Sequence, residues 1–310
     1  MLPHPARQAL DYAAAALGFS ATGVADAHAA QGSQLADFIA AGKHADMAWM
    51  ERHLPARMNP ELVLPGVRRV IMLTYEYPRS DARRSSGSIA RYAQGEDYHK
   101  LLAAKLNDLD ETLQMYGGQQ RCFSDSGPVS ERFFAAQAGL GWIGRNGLLV
   151  RPGRGSYCFL SCILTTLELP LDSPMPNRCG NCHRCEQACP TGALQGGVCD
   201  ARRCLSFWTI ESKSPIPPDI ASAQGERIYG CDACQETCPW NQPRPGQKEL
   251  RIDPHLLMPA PLAAASTGSL HSLSDADFQQ LMAGSPIRRI GAKHLRNNAK
   301  YERYQHPAPV

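Results

Sequence analysis

A chain of 310 residues, 43% hydrophobic and with a formal net charge of +3, is long and apolar enough to bury one large core plus smaller ones, which excludes a disordered tail or a disulfide-held miniprotein. So slight a basic excess does not mark a nucleic-acid binder on its own, and no run reaches the ~18 apolar residues of a membrane helix. The start, MLPHPARQALDY, has neither a charge-then-apolar leader nor a twin arginine, so the expected location is the cytoplasm, where twelve cysteines point to metal ligation rather than disulfides.

Residues 1–172 alternate helical and strand-like segments. Asp26-Ala27-His28 followed by Gly32 is one residue too long for the D-x-H-x-x-G signature of proteins whose histidine replaces the lower ligand of cobalamin, so His28 receives no ligand role. Val70 to Tyr77, VIMLTYEY, reads as a strand. In YHKLLAAKLNDLDETLQMYGG, Leu102, Leu106, Leu109 and Leu113 recur at helical spacing and Gly117 offers a stop. CFSDSGPVSERFFAA has the polar and proline residues of a helix start, and on local chemistry alone Asp125 belongs to it. Gly139, Gly141 and Gly144 form a G-x-G-x-x-G, but a helical segment precedes it and a strand-like one follows, the reverse of the dinucleotide-binding context. Gly147 to Arg151 and Tyr157 to Leu169 read as further strands, with Cys122, Cys158 and Cys162 as packed thiols. A layered α/β (α+β) domain with a mixed sheet follows.

PLDSPMPNRC reads as a linker into a module spanning 173–245. Its first cysteine run, Cys179, Cys182, Cys185 and Cys189 with Pro190, is C-x2-C-x2-C-x3-C-P, the spacing that wraps three thiolates around one 4Fe-4S cubane and sends the fourth to a neighbour. The second run, Cys231, Cys234 and Cys238 with Pro239, lacks one ligand. Cys204 is the favoured completion and Cys199 the alternative. Interleaved as in two-cluster ferredoxins, one cluster takes Cys179, Cys182, Cys185 and Cys238, and the other Cys189, Cys204, Cys231 and Cys234. A pair of zinc sites is the competing reading, since C-x2-C also suits tetrahedral zinc. Residues 246–310 read as a helical, basic tail. There Arg289, Lys293, Arg296, Lys300 and Arg303 fall on one helical face, as a solvated surface or a phosphate-binding stripe.

SIARYAQGEDYHK, SDSGPVSERFFAAQAGLGWIGRNGLL, CLSFWTIES and CDACQETCPWN, together with the cysteine series, resemble the epoxyqueuosine reductase family over most of the chain. The resemblance implies a corrinoid-binding catalytic domain over 1–172, a two-cluster ferredoxin-like module over 173–245, and a shortened helical-repeat region over 246–310. It implies reduction of the epoxide of epoxyqueuosine to queuosine in the tRNA anticodon, using base-off cobalamin and two 4Fe-4S clusters. The partners implied are that tRNA and an external low-potential electron donor, for a monomer with no membrane attachment. Asp125 is then the proton donor, and it is a cobalamin contact together with Arg91, Tyr92, His99, Asn146, Gly155, Ser156, Ser206, Asp232 and Ala233. A carboxylic acid that donates at neutral pH requires burial or an apolar neighbour. Two rival readings are a corrinoid reductive dehalogenase, whose relatives typically carry a twin-arginine leader, and a ferredoxin-like carrier, which leaves the long first domain unexplained.

Overall fold

The structure, a computed structural model, describes residues 4–29, 31–32, 34–79, 88–243 and 251–300. Its strands are β1 (Ala21–Asp26), β2 (Arg69–Glu76), β3 (Ser88–Ile89), β4 (Gln120–Phe123), β5 (Trp142–Ile143), β6 (Leu149–Val150), β7 (Cys158–Thr165), β8 (Leu194–Gln195), β9 (Val198–Cys199) and β10 (Arg227–Tyr229). Four form the main sheet in the order β1-β2-β7-β4, every neighbouring pair antiparallel.

Every residue of β2 after Arg69 is buried. Because successive side chains point to opposite faces, Ile71, Leu73 and Tyr75 enter one core while Val70 and Met72 enter the other. The first core is closed by helices α1 (Pro5–Ala16) and α2 (Tyr98–Gln114). The four α2 leucines named above are all buried, and Asp97 caps the helix by accepting the His99 N–H at 3.1 Å, a contact that stabilises a helix start by about 1 kcal/mol. Gly117, at φ +83, follows its end. The opposite face is covered by α3 (Glu131–Gln137), which contributes Phe134 and Ala135. A Cβ on Gly23 of β1 would fall 2.3 Å from the Ala138 carbonyl oxygen just past α3, so this close helix–strand approach requires glycine.

The layered helix-and-sheet architecture is the one the sequence implies, with one correction: the main sheet is antiparallel rather than mixed. Among the described residues the parallel pairing is β3 with β10. Apolar runs report burial, and say nothing about the direction of the neighbouring strand. The glycine-rich segment follows α3 and leads into the β5–β6 hairpin, consistent with rejecting the dinucleotide fold. Cys122, Cys158 and Cys162 lie in β4 and β7, where burial raises their thiols.

The cysteine region contains the short helix α4 (Arg184–Gln187), the β8–β9 hairpin and helix α5 (Ala233–Glu236). Helices α6 (Thr267–His271), α7 (Asp275–Leu281) and α8 (Gly291–Lys300) follow. They do not stand apart: Leu270, Phe278 and Leu295 share a core with Ile89, Ile228 and Tyr229 of β3 and β10. The single basic face does not form. Arg289 belongs to the 3-10 turn Pro286–Ile290, and Gly291 at φ +76 redirects the chain before α8. Arg289 pairs with Glu211, and Arg296 pairs with Asp275 at 2.7 Å, leaving Lys293 and Lys300 exposed on α8. Arg303, the tail 301–310 and the boundary at 245 lie outside the described residues.

Candidate active site and cluster-binding region

Asp125 follows β4 at φ +58, a left-handed conformation that aspartate tolerates better than most residues but that still needs support from its surroundings. Its N–H donates to Glu131 Oε1 at 2.8 Å, and its Oδ2 accepts the Tyr98 hydroxyl at 2.5 Å. Tyr98 and His99 open α2. The Tyr98 ring stacks on Phe159 at 4.0 Å and on His99 at 4.1 Å. His99 turns Nε2 toward Asp125 Oδ2 at 3.8 Å, while its Nδ1 meets Asp97 Oδ1 at 2.7 Å.

Burial, then the Asp125 carboxylate, pushes the Tyr98 phenol well above its ordinary range, so it keeps its proton and remains a donor. Burial also pushes the Glu131 carboxyl up to about 8, with Asp125 adding to it and the Asp125 N–H, Arg57 and Arg132 opposing. Asp125 itself is 64% exposed. The protein's own side chains therefore do not supply the burial that a proton donor requires. A cleft of about 260 Å³ opens beside His99, lined by Asp97 and Lys100 on one side and by Ser285, Pro286, Arg288 and Arg289 on the other.

In the cysteine region, sulfur atoms face N–H donors, as thiolates bound to iron–sulfur clusters commonly do. Trp142 Nε1 donates to Cys179 Sγ at 3.4 Å, and the Ala193 N–H to Cys189 Sγ at 3.2 Å. Cys238 accepts from the N–H groups of Trp240 and Asn241, and feels Cys179 and Cys182. Cys231 accepts from the Ala233 N–H, and Cys204 lies close enough to raise it further. Cys204 accepts from Ser206 and Phe207 and takes a hydrogen bond from the Cys199 thiol, which holds it below the usual thiol range while Cys199 is driven up. Both readings of the missing ligand therefore fall at one place in the fold. Among the described residues, no three His, Cys, Asp or Glu side chains converge on a single metal-ion position.

The remaining sequence-derived contacts form separate groups. Arg91 meets Asp232 through its backbone N–H at 2.8 Å and its guanidinium at 3.3 Å, and reaches Glu236 at 2.9 Å, joining the β3 side to the Cys231 loop. Tyr92 lies edge-on to Tyr98 at 6.2 Å. The Ser156 N–H donates to Asn241 Oδ1 at 2.6 Å and its hydroxyl to Gln235 Oε1 at 3.0 Å, and a Cβ on Gly155 would fall 1.9 Å from Asn241 Oδ1. Asn146 is buried, and its Nδ2 has no hydrogen-bond partner among the described residues. Ser206 and Ala233 turn their N–H groups to cysteine sulfurs. Outside the sequence-derived set stand Tyr98, Glu131, Trp142, Gln235 and Asn241. The only local signal for Tyr98 is its place after the Asp97 cap, and Glu131 reads locally as an ordinary acidic first-turn residue.

A family profile described as epoxyqueuosine reductase QueG, DUF1730, matches residues 57–126, and one described as a 4Fe-4S double cluster binding domain matches residues 178–241. The epoxyqueuosine reductase of Gloeobacter violaceus is 40% identical over 311 residues, covering 93% of this chain and 92% of its own. Two solved structures each have a TM-score of 0.84 at 28% identity, covering 96% of this chain and 80% of theirs. One is an epoxyqueuosine reductase with an epoxyqueuosine-modified tRNA-Tyr stem loop. The other is the Bacillus subtilis enzyme with its catalytic aspartate loop swung out of the active site. With full-length similarity at this level, a matching fold and a 4Fe-4S binding region, this chain belongs to the epoxyqueuosine reductase family of oxidoreductases.

Proposed function

We propose that the chain reduces epoxyqueuosine to queuosine at the anticodon wobble position of tRNA, with base-off cobalamin as reactive cofactor and two 4Fe-4S clusters as relay. The observation that carries this reading is the carboxyl of Asp125, exposed to solvent and gripped by Tyr98 beside His99, in a fold tied directly to the Cys231 loop by Arg91 and Asp232. Loss of the epoxide oxygen as water takes two electrons and two protons, whereas a 4Fe-4S centre passes electrons singly and binds no carbon. An external low-potential donor supplies the electrons. When bound, cobalamin in its Co(I) state offers a nucleophile and reductant for the epoxide carbon.

Asp125 protonates the departing oxygen. Because Tyr98 holds Oδ2, the proton leaves from Oδ1. A flat cofactor over this face would also cover the exposed carboxyl. The buried, unpartnered Nδ2 of Asn146 is a donor of the kind that a corrin's amide side chains accept. Arg91, Tyr92, His99, Gly155, Ser156, Ser206, Asp232 and Ala233 complete the proposed contact set. His28 is exposed and off the lower-ligand spacing, which favours the base-off form with no histidine from the chain. Labour divides as read from sequence: catalysis in 1–172, electron relay in 173–245, and a contribution from 246–310 to the tRNA-facing cleft through Arg288 and Arg289. No helix among the described residues is long and apolar enough to cross a membrane.

Titrating the anaerobically reconstituted protein with cob(II)alamin tests the cofactor assignment. The expected result is saturable binding with the spectrum of a base-off corrinoid. Intact clusters with no affinity for cobalamin would leave only an electron carrier.

A further inference from the structure

The turn that carries Asp125 is pinned at both ends. At its start, Ser124 Oγ donates to the Leu160 carbonyl at 3.0 Å and receives Ser161 Oγ at 3.2 Å, fixing it to β7. At its end, Arg57 donates to the Val129 carbonyl at 3.0 Å and Ser130 Oγ to the Arg57 carbonyl at 3.3 Å. Between the pins the chain doubles back so tightly that a Cβ on Gly127 would fall 2.4 Å from the Phe123 ring. That fold brings Asp125 over the first turn of α3, where its N–H meets Glu131 Oε1 at 2.8 Å. A left-handed aspartate persists only where its neighbours determine it, and this is the contact made by the strained residue's own backbone.

We propose that Glu131 is a positioning residue for the reaction: its Oε1 latches the Asp125 backbone, so that the carboxyl stays at Tyr98 and His99. The inference rests on the proton-donor reading of Asp125. Tyr98 fixes the side chain but leaves the backbone free to rotate, and Glu131 fixes the backbone. The competing role is that of a first-turn carboxylate, which stabilises the start of α3 through the helix dipole and has no bearing on Asp125. The two differ in what a neutral isostere does. Glutamine keeps an oxygen to accept the Asp125 N–H but has no ionised form, whereas the Glu131 carboxyl, pushed up to about 8, carries its charge above that pH, where the variants are compared.

Amide hydrogen exchange at Asp125, and kcat and KM on epoxyqueuosine-containing tRNA, are measured in the reconstituted holoprotein for Glu131→Ala and Glu131→Gln. For Glu131→Ala, exchange at Asp125 is expected to quicken about tenfold and kcat to fall about tenfold or more, with KM unchanged; Glu131→Gln stays within about threefold of wild type on each. Wild-type exchange and kcat in Glu131→Ala overturn the proposal. So does a Glu131→Gln protein as impaired as Glu131→Ala, since the acceptor oxygen would then not be what matters. If Glu131→Ala does not fold, Glu131→Asp, one methylene short, takes its place: faster exchange at Asp125 supports the latch and wild-type exchange removes it. Full turnover by Asp125→Asn, with faster exchange in Glu131→Ala, would retire the proton-donor reading and leave the latch standing.

Discussion

Asp125→Asn is expected to lose turnover on epoxyqueuosine-containing tRNA by about 10²- to 10⁴-fold, the usual contribution of a positioned general acid. The substitution isolates the proton. Asparagine keeps an oxygen to accept the Tyr98 hydroxyl and the backbone N–H that meets Glu131 Oε1. It also tolerates the left-handed φ of +58 found here. The turn is therefore undisturbed, and the 4Fe-4S and corrinoid spectra of the reconstituted protein should match wild type. What disappears is the acidic O–H that the departing oxygen needs. Undiminished turnover in a protein with normal spectra would end the proton-donor role.

If the proposed two-cluster ligand set is right, Cys204→Ala is expected to halve the iron and sulfide content after anaerobic reconstitution and to reduce turnover below detection, whereas Cys199→Ala keeps both clusters. The two thiols are hydrogen-bonded to each other, so proximity alone does not separate them. Their surroundings do. Cys204 receives the N–H groups of Ser206 and Phe207, a setting that favours thiolate, and it influences Cys231. Cys199 ends the β9 strand and lies in hydrogen-bonding contact with Cys204. On the proposed ligand set, removing Cys204 would leave Cys189, Cys231 and Cys234 as three ligands for four irons and would cut the proposed relay to the corrinoid. Iron analysis and low-temperature EPR of the two variants decide the matter; loss of a cluster in Cys199→Ala with retention in Cys204→Ala would exchange their roles.

The two cysteine runs were legible from sequence because a cubane imposes short, fixed spacings on its ligands. For the displaced ligand the sequence favours Cys204 and leaves Cys199 as the alternative, because spacing does not fix a ligand outside the run; the two thiols are separated by the 3-10 turn Ala201–Arg203. The leucine stripe of α2 was equally legible, since 3.6-residue periodicity and burial are two views of one face. The polarity of the main sheet was hidden, as the burial of β2 on both faces is compatible with either direction of its neighbours. Local rules gave Asp125 and Glu131 the bland role of a helix start. Their meeting depends on Gly127 packing against Phe123 and on Tyr98 arriving from another helix, neither of which leaves a mark on periodicity. The basic stripe failed for a single-residue reason. Gly291 breaks the helix that would have aligned Arg289 with Lys293.

The most direct measurement is nucleoside analysis of epoxyqueuosine-containing tRNA after anaerobic incubation with the reconstituted protein and a low-potential reductant, with and without cobalamin. Conversion of epoxyqueuosine to queuosine that requires cobalamin is the predicted result. Unchanged epoxyqueuosine with a fully loaded protein, or equal conversion without cobalamin, would contradict it.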